Sequence, residues 1–188
     1  MKLLHVALVF ALAASASTVF AARPGYTYAG VGYVKQDLDI DYAPDCTQDG
    51  LFLEGSLAFD GQLFGHLRHV DVTSDSGRCG STSTSISAGF RNNYGNSSSV
   101  YAMASLVNRD YGPDSDAGLG ISLGIRTMYQ PDVELGFSVG YESIDDYSQL
   151  YIDGSARYMI VPQFGLSIDL GINEDGNTSM GVGGRYYF

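Results

Sequence analysis

Apolar residues alternate with small or polar residues at every second position through most of this chain, and this two-residue period most constrains its fold. Successive side chains of a β-strand point to opposite faces, so each alternating segment predicts a strand with one apolar and one polar face. In the clearest segment, 118–129, four apolar residues alternate with glycine and serine: Leu119, Ile121, Leu123 and Ile125. We therefore predict an all-β fold.

About ten such segments follow one another, each roughly ten residues long, which is the length of a tilted strand that crosses a membrane. Short turns and longer acidic connections alternate between them, as in outer-membrane barrels. We predict a closed antiparallel up-and-down transmembrane β-barrel of about ten strands, with eight strands as the alternative. The segments lie near 26–35, 51–59, 63–72, 82–91, 98–108, 118–129, 133–142, 149–158, 164–173 and 179–188.

The placement of charge favours a membrane barrel over a soluble one. Charged residues make up 16% of the chain, against about 25% in an average protein, and they gather in the connections. In a soluble, lipocalin-like barrel the apolar faces would point inward and the surface would consist mainly of glycine and serine, which is unusual for a soluble surface. Aromatic residues near segment ends, such as Tyr129, Tyr158 and Tyr141, also match the two interfacial girdles of membrane barrels.

The first residues have the pattern of a secretory signal peptide. Lys2 precedes the apolar run 3–12, small residues follow, and cleavage after Ala21 places Val19 and Ala21 at the two specificity positions. The run is shorter than the ~20 residues of a membrane-spanning helix, which disfavours a membrane anchor. We divide the chain into a signal peptide at 1–21 and a barrel domain at 22–188, and expect export to a compartment where disulfides persist.

Two pairs of residues are predicted to meet. Cys46 and Cys79 fall in the first and second long connections, on adjacent hairpins, so we expect a disulfide between them. The hairpin turn near 60–62 places Glu54 opposite Arg68 on the polar face of two neighbouring strands. Because buried charges need partners, we expect these two residues to form an ion pair in the lumen.

The long connections carry many carboxylates and few basic residues. Oxygen ligands suit Ca²⁺ or Mg²⁺, so we predict a rim with weak, distributed cation binding, the alternative being a solvated acidic surface. No connection has the spacing of a dedicated metal site, and we expect no metal and no cofactor. The rim comprises Asp37, Asp39, Asp41, Asp45, Asp49, Asp114, Asp116, Asp145 and Asp146.

Residues that could support catalysis are few. His66 and His69 are three positions apart on one strand, so they face opposite sides and cannot jointly hold a metal ion. Asp153 and Asp169 face inward on neighbouring strands, and paired carboxylates can serve acid–base chemistry. We favour the interpretation that lumen arginines neutralise the two aspartates, and we predict no enzyme activity. The candidate arginines are Arg126, Arg157 and Arg185.

The end of the chain resembles the sorting signal that the barrel-assembly machinery reads in bacterial outer-membrane barrels. A terminal aromatic follows apolar residues at every second position, interrupted at Gly184: Met180, Val182, Tyr186 and Phe188. The stretches 26–33, 49–56 and 162–166 are similar to those of a small barrel family of xanthomonads and related Gram-negative bacteria. This resemblance covers nearly the whole mature chain and implies an outer-membrane barrel. The position that carries an acid in the first strand of that family is Gly30 here, so the role of that acid is not carried over.

A net charge of −11 disfavours binding to nucleic acid, which needs clustered lysine and arginine. We predict a monomeric integral barrel of a Gram-negative outer membrane, in contact with lipid and lipopolysaccharide, with a structural, envelope-stability or surface-interaction role. The alternatives are a narrow channel for small polar solutes and, after it, a membrane-embedded lipid-modifying enzyme. Large residues on the polar faces should leave any pore narrow or closed: Tyr26, Tyr28, Phe52, Phe64, His66, Tyr101 and Tyr151.

Overall fold

A computed structural model describes residues 23–40, 43–74, 79–110, 115–145 and 147–188. The predicted signal peptide, 1–21, lies outside the described residues. Among the described residues, no helical segment has the length and apolarity of a transmembrane helix. The strands are β1 (Tyr28–Ile40), β2 (Ala43–Asp60), β3 (Leu63–Thr73), β4 (Gly80–Tyr94), β5 (Ser98–Asp110), β6 (Ser115–Gln130), β7 (Val133–Ile144), β8 (Tyr147–Val161), β9 (Phe164–Asn173) and β10 (Thr178–Tyr187).

The ten strands form one closed barrel in which each strand pairs antiparallel with its neighbours in the chain. The barrel closes between β1 and β10, where Tyr28 pairs with Tyr187 and the register continues without interruption to Asp37 and Thr178. The predicted barrel of ten antiparallel strands is therefore confirmed, and the alternative of eight strands is wrong. Among the described strands, closure leaves none at the edge of the sheet.

The first hairpin is longer than the predicted segments 26–35 and 51–59. Residues assigned to the first long connection pair with each other: Asp37 lies opposite Thr47, and Leu38 lies opposite Cys46. The hydroxyl of Thr47 also donates a hydrogen bond of 2.7 Å to the carboxylate of Asp37. Interstrand hydrogen bonds do not require an apolar face, so β1 and β2 extend beyond the part of the hairpin whose outward positions are apolar, such as Val31 and Tyr33.

The apolar faces of the strands point outward. On β6, Leu119, Ile121 and Leu123 are 65%, 63% and 61% exposed. Exposed aromatic rings lie near the short-turn ends and near the opposite ends of the strands, as expected for two girdles. An exposed apolar band between aromatic girdles is the surface of a membrane barrel and is the reverse of a soluble one. The girdle residues are Phe59, Phe90, Tyr94, Tyr129, Tyr158 and Tyr186 on the short-turn side, and Tyr33, Tyr141 and Tyr147 on the other.

Large inward-facing rings lie over glycines of neighbouring strands. A methyl group at Gly124 would overlap the ring of Tyr101, and one at Gly140 would overlap the ring of Tyr151. Glycine and larger residues are therefore neighbours on the polar faces for a steric reason: these rings occupy the space that the neighbouring glycines leave.

Candidate functional site

The lumen contains a cavity of about 370 Å³ that all ten strands line. Its wall is mostly serine, glycine and charged side chains, with the rings of Tyr26, Phe64 and Tyr101 toward the short-turn end. The inward positions predicted for Tyr28, Phe64, His66, Tyr101 and Tyr151 agree with this lining. Because the polar faces of the strands form the wall, the cavity is suited to a polar solute or to water.

Glu54 on β2 is buried in the lumen and has more than one cationic partner. Arg185 on β10 donates from Nε and Nη2 to the Glu54 carboxylate, the second bond being 3.0 Å. The β2–β3 register places Arg68 opposite Glu54, with Arg68 Nη1 3.5 Å from Glu54 Oε2. His66 Nε2 is 4.0 Å from the same oxygen. The predicted partner Arg68 is thus adjacent, whereas the bidentate partner, Arg185, was not predicted.

Gly30 explains why Glu54 reaches Arg185. Strand β1 lies between β2 and β10, and Gly30 pairs with Glu54 on one side and with Arg185 on the other. A Cβ atom at Gly30 would lie 2.8 Å from Glu54 Oε1 and 3.0 Å from Arg185 Cγ. The absence of a side chain lets the two charged groups meet across the intervening strand.

A second buried carboxylate, Glu134 on β7, has two arginine partners. Arg126 donates from Nε and Nη2 to the two carboxylate oxygens, at 2.9 and 3.0 Å. Arg157, which lies opposite Glu134 in the β7–β8 register, donates from Nη1 to Oε1. The sequence predicts that these arginines and Arg185 neutralise Asp153 and Asp169. The arginines bind the glutamates instead, because strand pairing places Glu134 directly beside Arg157.

Asp153 and Asp169 face the cavity with serine hydroxyls as their hydrogen-bond donors. Ser138 donates to Asp153 at 3.5 Å, and Ser167 donates to Asp169 at 3.1 Å. Within the described parts of the chain, neither carboxylate has an ion pair within 4.0 Å. Asp169 pairs with Ser155, two positions from Asp153, so the two aspartates are diagonal neighbours on adjacent strands.

The segment before β1 constricts the short-turn end of the lumen. The hydroxyl of Tyr26 is hydrogen-bonded to Ser99 on β5 at 2.8 Å, although β5 is not a neighbour of β1. The guanidinium groups of Arg91 and Arg126 each lie 4.4 Å from the centre of the Tyr26 ring. The ring also packs against Phe64, with centroids 4.8 Å apart. Tyr26 therefore crosses the lumen from one wall to the other.

The predicted disulfide between Cys46 and Cys79 is confirmed. Their Cα atoms are 6.5 Å apart, and the bond joins β2 to the residue that precedes β4. Ser74 and Cys79 also exchange hydrogen bonds, from Ser74 N to Cys79 O at 3.1 Å and from Cys79 N to Ser74 Oγ at 3.2 Å. The disulfide thus ties the first long hairpin to the second at the long-connection end of the barrel.

Several residues of the predicted acidic rim have local partners. Asp37 lies 3.9 Å from Lys35 Nζ, in addition to its bond with Thr47, and Asp49 accepts a 2.5 Å hydrogen bond from Tyr33. Asp116 lies opposite Arg109 in the sheet. Asp145 lies in the turn before β8, where its backbone φ is 49°. Among the side chains described, no three histidine, cysteine, aspartate or glutamate residues are grouped to hold a metal ion. Outside the described residues or side chains lie Asp39, Asp41, Asp45, Asp114 and Asp146. Cation binding by the rim stays a prediction.

The residues of the predicted assembly signal and the two histidines lie in different parts of the barrel wall. Met180, Val182 and Tyr186 on β10 are 53%, 45% and 44% exposed on the outer surface. The ring of Phe188 packs edge-on against Tyr186, with centroids 5.2 Å apart. His66 lines the lumen, while His69, three residues later, is hydrogen-bonded to Thr84 at 2.8 Å.

An apolar exterior with aromatic girdles, a charged polar lumen and a closed ring of ten antiparallel strands define the fold of outer-membrane β-barrels. No protein-family model matches the sequence, and no curated protein matches it, so the specific xanthomonad family is not confirmed.

Solved structures share the fold at low sequence identity. An outer-membrane channel from Pseudomonas putida F1 is 14% identical, with a TM-score of 0.54, over 93% of this chain and 100% of that one. The beta domain of the Bordetella autotransporter Brka is 10% identical, with a TM-score of 0.55, over 88% and 100% of the two chains. A KdgM porin is 16% identical, with a TM-score of 0.48, over 85% and 99%. The likeness to the first two is one of fold.

Proposed function

We propose that this protein is an integral outer-membrane β-barrel whose narrow lumen conducts small polar solutes. The observation that carries the proposal is the cavity of about 370 Å³ walled by serine, glycine and charged residues, since a barrel with a purely structural role has no need of open polar space. The exposed apolar band and its girdles support the outer-membrane location. The outward alternation along β10 supports recognition by the barrel-assembly machinery.

The constriction at Tyr26 sets the expected size of the pathway. Tyr26 reaches from the β1 side to Ser99, while Arg91 and Arg126 flank its ring. Barrels of about ten strands lie between small barrels filled by side chains and large open porins. The protein should therefore conduct in steps much smaller than those of a general porin.

Planar-bilayer recording of the purified protein tests this function. We expect small steps from the wild type and larger steps from Tyr26→Ala, which removes the ring that crosses the lumen. Tyr141→Ala is the matched control. Tyr141 is 44% exposed on the outer surface, in the girdle at the long-connection end, so its ring does not enter the lumen. Its steps should equal those of the wild type. If neither the wild type nor Tyr26→Ala conducts after reconstitution, the channel proposal is wrong.

The second candidate is a structural role in the envelope, and the buried ion clusters favour it. Glu54 and Arg185 are 131 residues apart in sequence, and Glu134 bridges Arg126 and Arg157. Such contacts stiffen the wall and narrow the lumen. Two results together would support this role: the folded barrel shows no conductance after reconstitution, and deletion of the protein weakens the envelope of the cell.

A further inference from the structure

The lumen separates its charges instead of pairing all of them. Glu54 contacts both Arg185 and Arg68, and Glu134 contacts both Arg126 and Arg157. Each of these clusters, as described, therefore has one more guanidinium than carboxylate. Asp153 and Asp169 supply the opposite charge from β8 and β9, where serine hydroxyls are their hydrogen-bond donors. Positive charge is thus in excess at the two glutamate clusters, and negative charge at the two aspartates.

The register places Arg68 and Asp153 at the same level on opposite walls. In the ring of ten strands, β3 and β8 are diametrically opposed. We trace a path around the barrel by moving from each residue to its paired residue on the next strand. From Arg68 through β4, β5, β6 and β7, this path ends at Tyr147 on β8. In the other direction, through β2, β1, β10 and β9, it ends at Met159 on the same strand. Because the strands of a closed barrel tilt, the level of Arg68 on β8 is midway between these residues. That position is Asp153.

Arg68 is the most accessible arginine of the two clusters. Its side chain is 31% exposed, compared with 10% for Arg126, 10% for Arg185 and 2% for Arg157. Its contact with Glu54 is a single one at 3.5 Å, and its guanidinium lies 4.5 Å from the centre of the Phe52 ring. Arg68 therefore retains donors that can bind a solute in the cavity.

We propose that this cavity binds small zwitterions, of which free amino acids are the simplest, with the carboxylate toward Arg68 and the ammonium group toward Asp153 and Asp169. A simple anion is attracted by one wall and repelled by the other, and so is a simple cation. A solute with both charges is attracted at both ends, and charge-assisted hydrogen bonds are the stronger ones. The inference rests on the proposed channel function and names the class of solute.

Equilibrium binding to the purified barrel in detergent tests the inference independently of conductance. The probes are L-alanine, propionate, which lacks the ammonium group, and ethylamine, which lacks the carboxylate, all at equal ionic strength. We expect L-alanine to bind about tenfold more tightly than either analogue, as the loss of one charged hydrogen bond implies. Equal binding of ethylamine and L-alanine would identify a cation site, and equal binding of propionate an anion site. Either result, or no binding of L-alanine, overturns the proposal.

Variants locate the site. Arg68→Gln and Asp153→Asn should each weaken L-alanine binding about tenfold, while Arg68→Lys, which keeps the charge, should lose less. In the Arg68→Gln variant, Glu54 keeps its contact with Arg185, so its charge stays paired. Circular dichroism verifies the strand content of each variant. The control variants are Lys35→Gln and Asp71→Asn, because both side chains are exposed. Unchanged binding in Asp153→Asn overturns the proposal. Conductance without L-alanine binding refutes only this inference, whereas binding without conductance refutes only the channel.

Discussion

Glu54 has two arginine partners whose geometries differ, so the two contacts should contribute unequally to stability. Arg185 makes a bidentate contact and is 10% exposed, whereas Arg68 makes one contact at 3.5 Å and is 31% exposed. Removing one partner of a buried ion pair costs about 3–5 kcal/mol, while a partly exposed pair contributes about 0–1 kcal/mol. We expect Arg185→Gln to lower the free energy of unfolding far more than Arg68→Gln.

Double-mutant cycles measure this difference. Glu54→Gln is combined with Arg185→Gln in one cycle and with Arg68→Gln in the other, and unfolding is followed in urea with the protein in lipid vesicles. The coupling energy between residues 54 and 185 should exceed that between residues 54 and 68. Equal coupling energies in the two cycles would contradict the assigned geometry.

At this scale, sequence reasoning recovers contacts within one hairpin and misses contacts that depend on closure of the barrel. The turn predicts that Glu54 lies opposite Arg68, and the structure places them so. The contact with Arg185 could not be predicted, because it requires β10 to meet β1 and requires the space left at Gly30. A glycine that pairs with inward-facing residues on both neighbouring strands, as Gly30 does, is the signal that those two residues have room to meet across the strand between them.

The disulfide acts at the scale of elements, since it joins two hairpins at the long-connection end. Cys46 and Cys79 are 33 residues apart, and closing a loop of this size stabilises a protein by about 3–4 kcal/mol in the chain-entropy model. The double variant with Cys46→Ser and Cys79→Ser should therefore unfold at a lower urea concentration than the wild type. Adding reductant should destabilise the wild type and leave the double variant unchanged. Equal thiol counts with and without reductant would show that the bond does not form.

The strands themselves are the best-predicted elements, because two-residue alternation is a direct consequence of strand geometry. All ten predicted segments fall on strands. The first hairpin is the exception in length: Asp37 and Thr47 pair, although they lie beyond the outward apolar positions Val31 and Tyr33. Apolar residues at the outward positions mark the part of a strand that faces lipid. Strand beyond that part has polar residues at the outward positions, as at Asp37, so the lipid-facing pattern does not detect it.

For the whole molecule, the position of the segment before β1 could not be predicted from periodicity. Tyr26 was expected to face inward, but its contact with Ser99 on a distant strand depends on the width of the closed barrel. Pro24, in the same segment, is buried as well. The constriction therefore arises from the side chain of Tyr26, in a short segment that precedes β1, and strand patterns do not reveal how far that side chain reaches.

The orientation of the whole barrel, apolar outside and polar inside, is tested by placing the same charge at two depths of the outer surface. Leu123 lies near the middle of the apolar band on β6 and is 61% exposed, whereas Tyr94 lies in the short-turn girdle and is 77% exposed. An arginine at the bilayer midplane costs about 2–4 kcal/mol, and one near the interface about 0–1 kcal/mol. In vesicles, Leu123→Arg should thus lower the free energy of unfolding much more than Tyr94→Arg does. Both positions are exposed, so neither substitution removes a buried contact and the comparison reports the surroundings of the new charge. Equally small effects of the two substitutions on the free energy of unfolding would mean that the apolar band does not lie in lipid.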